Sequence, residues 1–183
     1  MTPNHKTSEF TAPLLRPAKP SDESLWAFVV LPKDISETLA RRGRMTVAAS
    51  IDGHNFQAKL EPDGQLSHWF VINEELLKTA NVGIGDIVRF EITPLPQEPE
   101  PEVPADLYEA LMAHPEALKV WEDTTILARV DWIHWVTTAK QTKTRIKRIH
   151  DACDMLSSGK RRVCCFDPSG FYSKAFGAPK TAD

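Results

Sequence analysis

The sequence predicts an α+β protein: a small β-barrel capped by short helices, followed by a helical domain of about four helices. Three observations carry that expectation. Strand, short helix, glycine and strand signals recur in that order at 25–51 and again at 66–93. A segment rich in proline and glutamate, residues 94–104, then breaks every period. Beyond it, helix-start and helix-stop signals follow one another to Gly159.

Taken in order, residues 1–22 are rich in Pro, Thr, Ser and charge and read as a disordered arm. The barrel domain is expected over 23–93. Its first strand is the apolar, β-branched run Leu25–Leu31, stopped by Pro32. Asp34 and Glu37 have the spacing of a capping box, so a short helix is expected to run from there to Gly43. The basic trio Arg41, Arg42 and Arg44 would then complement the C-terminal dipole of that helix. Met45–Ile51 and Phe56–Leu60 flank Asp52-Gly53, a pair that supplies the positive φ angles of a tight hairpin turn. After a second turn at Glu61-Pro62-Asp63-Gly64 come a strand over Leu66–Ile72, a helix capped by Asn73, a turn at Gly83-Ile84-Gly85 braced by Asp86, and a strand over Ile87–Thr93. The repeated order is expected to close into the barrel.

Five of the 14 prolines lie in or at the edge of the 94–104 linker, which is expected to extend without packing and to mark the domain boundary. Helices should follow at 105–112, at 115–123, from Thr124 or Thr125 to Thr138, and from about Thr142 to Leu156, giving a helical domain over 105–160. The tail, 161–183, shows no sustained period, and its four aromatics either dock or stay mobile.

Composition bounds the function. At 183 residues and 42% apolar content the chain can bury a core. No apolar run approaches a membrane span or a signal-peptide core, and Cys153, Cys164 and Cys165 are too few and too clustered for a disulfide framework. The chain therefore reads as cytoplasmic, with Cys164 and Cys165 as reduced thiols. The net charge of −3 conceals a strong asymmetry: residues 1–139 hold 12 basic and 21 acidic groups, whereas 140–162 hold eight basic groups and two acidic ones. Such polarity favours an anionic partner on one surface.

The motif search finds no catalytic constellation. There is no G-x-S-x-G, no phosphate-binding loop and no dinucleotide fingerprint, and the six histidines lack metal-ligand spacing, so no metal or cofactor is expected. His68 reads as a satisfied structural residue.

Two stretches resemble known families. Asp131-Trp132-Ile133, Ala139-Lys140, Thr144-Arg145 and Arg148-Ile149, ahead of a glycine-terminated helix, resemble the YdeI/OmpD-associated, or bacteriocin-protection, family. Val30-Leu31-Pro32, Ile51-Asp52-Gly53, Phe56 and Gly85-Asp86-Ile87-Val88 are similar to the domain of unknown function often fused in front of it. The resemblance implies a double-split β-barrel, distantly AbrB-like, and a role in protection against bacteriocins or peptides. It implies no catalytic residue.

The candidate binding residues are Lys140, Lys143, Arg145, Lys147, Arg148 and Trp132. On the last helix Ile146, Ile149, Ala152, Cys153 and Leu156 share an apolar sector, and the three lysines share the opposite face. Arg145 falls inside the apolar sector and needs a carboxylate or a bound anion; Glu122, Asp123 and Asp131 are its candidate protein partners. Trp132 and Trp135 leave their helix on a different side from Val130 and Ile133, so that helix should be sandwiched, with base or sugar stacking as the minority use of the tryptophans. The leading expectation is a non-enzymatic module that engages an anionic protein or a phosphate-bearing partner through the basic helix. A nucleic-acid regulator and a small-ligand protein built around Arg145, Arg148, Trp132 and His68 are the alternatives. An oligomer formed by domain exchange through the long linker is also open.

Overall fold

The computed structural model describes residues 6–19 and 26–182. Two compact units emerge, Met1–Gln97 together with Ser169–Asp183, and Glu98–Pro168. The second unit is thus threaded, in chain order, between two parts of the first.

Unit 1 is a curled antiparallel sheet of six strands in the order β1-β6-β3-β4-β5-β2. The strands are β1 (Ser8–Pro13), β2 (Ala27–Val30), β3 (Met45–Ile51), β4 (His54–Pro62), β5 (His68–Ile72) and β6 (Ile87–Pro94). Curling brings the two edges together: Leu15, just past β1, exchanges two 2.9 Å backbone hydrogen bonds with Phe28 of β2. The repeated sequence pattern pairs like with like, β2 with β5 and β3 with β6. Inside the curl, Phe90 stacks on Phe10 at 5.4 Å and meets Phe70 edge-on at 5.6 Å, among Leu14, Val29, Val47, Ile51, Leu60 and Ile92.

Local signals set the turns. Asp52 and Gly53 have φ of +45° and +84°, the double left-handed geometry of a two-residue hairpin, and β3 and β4 pair in unbroken register from Ile51↔His54 to Met45↔Leu60. Asn73 caps α2 (Glu74–Ala80) by accepting from the Leu76 amide at 2.8 Å, and Asp86 braces its turn by accepting from the Gly83 amide at 2.8 Å.

Three expectations for this unit are corrected. Residues 8–13, read as part of a disordered arm, form β1, paired with β6 from Ser8↔Ile92 to Pro13↔Ile87. Phe10, Ala12 and Leu14 point inward and are buried, so the period of two was present beneath the threonine and proline content. Of the expected arm, residues 1–5 and 20–22 lie outside the described residues. The first helix, α1 (Lys33–Glu37), is shorter than expected and has no side-chain cap, so Asp34 is a first-turn acid rather than the N-cap. Arg42 and Arg44 do not complement its dipole. Arg42 donates to the Leu66 carbonyl at 2.6 Å, and Arg44 pairs with Glu61 at 2.7 Å.

The end of the chain docks on unit 1. Ala18 donates to Lys180 O at 2.7 Å, Ala182 to Arg16 O at 2.8 Å and Ala178 to Asp63 O at 3.2 Å. Contact at the Asp63-Gly64 turn is so close that a Cβ on Gly64 would stand 2.7 Å from the Phe176 carbonyl oxygen.

Unit 2 carries α3 (Ala105–Ala113), α4 (Pro115–Asp123), α5 (Ile126–Thr137) and α6 (Thr142–Ser157). Thr125 caps α5 by accepting from the Ala128 amide at 3.1 Å, and Gly159, at φ +91°, ends α6. Their core gathers Leu107, Leu111, Ala117, Trp121, Trp132, Val136, Ile149, Ala152 and Leu156. The linker does not stay clear of this core: Val103 packs against it and Glu100 pairs with Arg129. Ile146, expected inside the apolar sector of α6, is instead 63% exposed.

Candidate functional site

The basic segment 140–162 begins at the exposed Lys140 and Lys143, which bracket the start of α6. Gln141 occupies the N-cap position without a side-chain hydrogen bond, and the first turn contains no acid. The amide groups at that end therefore lack a side-chain acceptor, and the helix dipole adds to the positive charge of the two lysines.

Further along α6 the cations are engaged. Arg145 forms a two-pronged ion pair with Asp106 of α3, Nε to Oδ2 at 2.7 Å and Nη2 to Oδ1 at 3.0 Å. The arginine does find a carboxylate, but none of the three expected. Its direction on the wheel points toward α3, so the acid at the start of that helix reaches it first. The guanidinium holds the Asp106 carboxyl below its ordinary value of 3.8. Lys147 pairs one turn on with Asp151 at 2.6 Å, which likewise lowers the Asp151 pKa.

Arg148 serves the backbone. Its Nη1 donates to the Trp135 carbonyl at 2.7 Å, near the end of α5, and its guanidinium carbon lies 5.5 Å from the Trp135 ring centroid. A cation there satisfies a carbonyl that the helix end leaves open and stacks on an aromatic face at the same time. Arg161 pairs with Asp123 at 2.7 Å. Lys140, Lys143, Lys160 and Arg162 are exposed and enter none of the ion pairs found among the described residues. The surface that can meet an external anion is thus smaller than the charge count suggested, with Lys140 and Lys143 beside the start of α6 and Lys160 and Arg162 after its end.

Trp132 cannot take part. It is fully buried, edge-on to Trp135 at 6.3 Å, with its Nε1–H donating to the Arg161 carbonyl at 3.2 Å. The indole locks the segment after α6 onto α5, which removes it from any stacking role.

His68, in unit 1, is also fully buried. Its Nε2–H donates to Gly43 O at 3.0 Å, since a carbonyl only accepts, which leaves Nδ1 to accept from the Ser36 hydroxyl at 2.7 Å. The adjacent Ser67 hydroxyl donates to Leu31 O at 2.8 Å. Burial lowers the His68 pKa from its ordinary 6.5. A serine bound to a histidine invites a nucleophile reading, but Ser36 is 1% exposed and the far ring nitrogen meets a backbone carbonyl. This is a structural tie between α1, β5 and the loop before β3. His150, Asp151 and Asp154 could bring ligand atoms within 4.8 Å of one another on the surface of α6, although Lys147 already holds Asp151.

Fold and site together define a two-unit α+β protein: a curled sheet stabilised by a neutral buried polar tie, and a helical unit that ends in a basic helix. Residues 10–92 match the family model described as Domain of unknown function (DUF1905), and residues 100–159 match the one described as Bacteriocin-protection, YdeI or OmpD-Associated. The chain is thus similar to the YdeI/OmpD-associated family over its helical unit and to the DUF1905 domain over the sheet ahead of it. The first of these matches opens inside β1, at Phe10. No curated protein matches the chain. No helix among the described residues is long and apolar enough to cross a membrane.

Proposed function

We propose that this is a non-enzymatic binding protein, acting in the cytoplasm, whose helical unit engages an acidic polypeptide through Lys140, Lys143 and the start of α6. The supporting observation is the pair of exposed cations beside a helix N-terminus that has neither an acid nor a side-chain cap in its first turn. Arg145 and Arg148 act behind that surface, tying α3 and α5 to α6, while Lys147 is engaged by Asp151 on α6 itself. The family description supports placing the partner within a protective response to bacteriocins or peptides. Unit 1 is the scaffold. Its strand–helix–strand repeat, with equivalent strands paired, supports reading the curl as a double-split barrel of AbrB type, and the four helices of unit 2 as a small bundle.

The test is a titration of the full chain at low salt against polyglutamate, inorganic polyphosphate and mixed RNA and DNA, wild type beside Lys140→Glu/Lys143→Glu. Reversing two exposed charges should weaken polyglutamate binding about tenfold or more without moving the melting temperature, because neither lysine supports the core. Binding unchanged by the reversal removes this proposal. Retention on nucleic acid alone, lost on reversal, would replace the acidic polypeptide with a nucleic-acid partner.

A further inference from the structure

Cys164 and Cys165 lie in the segment that follows α6, and the proposed anion surface makes no use of them. Both are free and exposed, and their sulfur atoms are 3.2 Å apart. Consecutive side chains on extended backbone point to opposite sides. Here Cys165 adopts φ +61°, a left-handed conformation rare for a residue with a side chain, and the alternation is broken so that both thiols converge. The segment is fixed on either side of the pair. Before it, the Arg161 carbonyl accepts from Thr124 Oγ1 at 2.9 Å and from Trp132 Nε1; after it, the Phe166 ring meets His134 edge-on at 5.1 Å. Cys153, by contrast, is buried in the helical core, and burial raises its pKa.

Direct oxidation suits this pair poorly, because consecutive Cα atoms stand about 3.8 Å apart across a trans peptide whereas disulfides need about 4.4–6.8 Å. A bridging atom relieves that constraint. Zinc would require more protein ligands than two sulfurs provide. The one cluster of three metal-ligating side chains found among the described residues is His150, Asp151 and Asp154, which contains no cysteine. The centre that fits must accept two thiols and bring its own remaining substituent.

We propose that Cys164 and Cys165 form a dithiol site for such a centre, a monosubstituted trivalent arsenical. Against an arsenous oxide, the two S–H bonds and the As=O bond break, two S–As bonds form, and the oxygen leaves with both protons as water. Arsenic stays trivalent and no further reactant is needed.

The probe is phenylarsine oxide added to the reduced full-length protein and read by intact mass, with proteolytic mapping of the adduct. One phenylarsenic per chain, mapped to the fragment holding 164 and 165, is expected for wild type and for Cys153→Ala. Cys164→Ser and Cys165→Ser should each lose it, with capture about a hundredfold weaker because the second bond gains from a high local thiol concentration. A dithiol such as 2,3-dimercaptopropanol should remove the arsenic, while 2-mercaptoethanol at equal thiol concentration should not. An adduct of wild-type strength in either serine variant, release by the monothiol, mapping to Cys153, or no adduct on wild type would each overturn the proposal. Unchanged circular dichroism of the serine variants ties their loss to the sulfurs rather than to the fold.

Discussion

The two units treat polar groups in opposite ways. Unit 1 places a neutral network inside, where Ser36, His68 and Ser67 satisfy Gly43 O and Leu31 O beneath the surface. Unit 2 keeps an apolar core and puts its charges around the edge, where Arg145, Arg148 and Arg161 reach across to carboxylates or helix-end carbonyls. A buried neutral donor is costly to orphan, whereas an exposed ion pair adds little because water already solvates both partners. The chain's sensitivity to substitution should therefore run opposite to the visibility of its charges.

The largest effect should come from the centre of the helical unit. Trp132→Ala removes a fully buried indole and the tie to Arg161 O, at a cost of about 3–5 kcal/mol. Chemical denaturation followed by far-UV circular dichroism measures it. Trp132→Phe should recover most of that loss by refilling the space without the hydrogen bond. A loss under about 1 kcal/mol for the alanine variant would mean that the indole is not the core element its burial indicates.

Next comes the polar interior of unit 1. His68→Phe keeps a ring but leaves Gly43 O and the Ser36 hydroxyl without partners, at a cost of about 2–3 kcal/mol. A pH signature separates this tie from simple packing. The folded His68 pKa lies below its ordinary 6.5, so near neutral pH the unfolded chain binds the proton more readily. The contribution is fully present above about pH 6.5 and is lost as pH falls through the folded value. Wild type should lose stability on acidification in that range, and His68→Phe should flatten that part of the profile. Parallel profiles would show that the imidazole is not the titrating group.

Features decided within a few residues were legible before any coordinates. The Asp52-Gly53 turn, the cap at Asn73, a cap at one of Thr124 and Thr125, the brace at Asp86 and the stop at Gly159 each follow from local backbone needs. What was hidden depends on distant chain. The threonine and proline of 8–13 hide a strand whose partner is some 80 residues away, and the tail looks aperiodic because it packs as a strap against Arg16, Ala18 and Asp63. At the candidate site, the concentration of charge in 140–162 could be counted from the sequence. Which cations stay available could not, because that depends on which helix lies beside α6. The wheel gave Arg145 the need for an acid, and it has one, but the pair lies at the rim, 31% and 46% exposed, rather than inside the apolar sector. The wheel could not choose Asp106 over Glu122, Asp123 or Asp131, nor show that Ile146 would remain exposed.

The smallest effect should come from the most conspicuous ion pair. Arg145 and Asp106 meet in a two-pronged geometry, yet the side chains are 31% and 46% exposed, so water screens the attraction. Asp106→Asn should cost no more than about 1 kcal/mol at neutral pH. The acid profile carries the sharper signature. Because the arginine holds the folded Asp106 pKa below 3.8, this stabilisation is present above that value and lost as pH falls through the folded one, whereas the His68 loss begins already at about 6.5. The asparagine variant should therefore track wild type through neutral and mildly acid pH and differ by removing the steepest acid limb. A loss at neutral pH as large as that of His68→Phe would break the contrast between the units, making Asp106–Arg145 a core fastening of α3 to α6 rather than a rim contact.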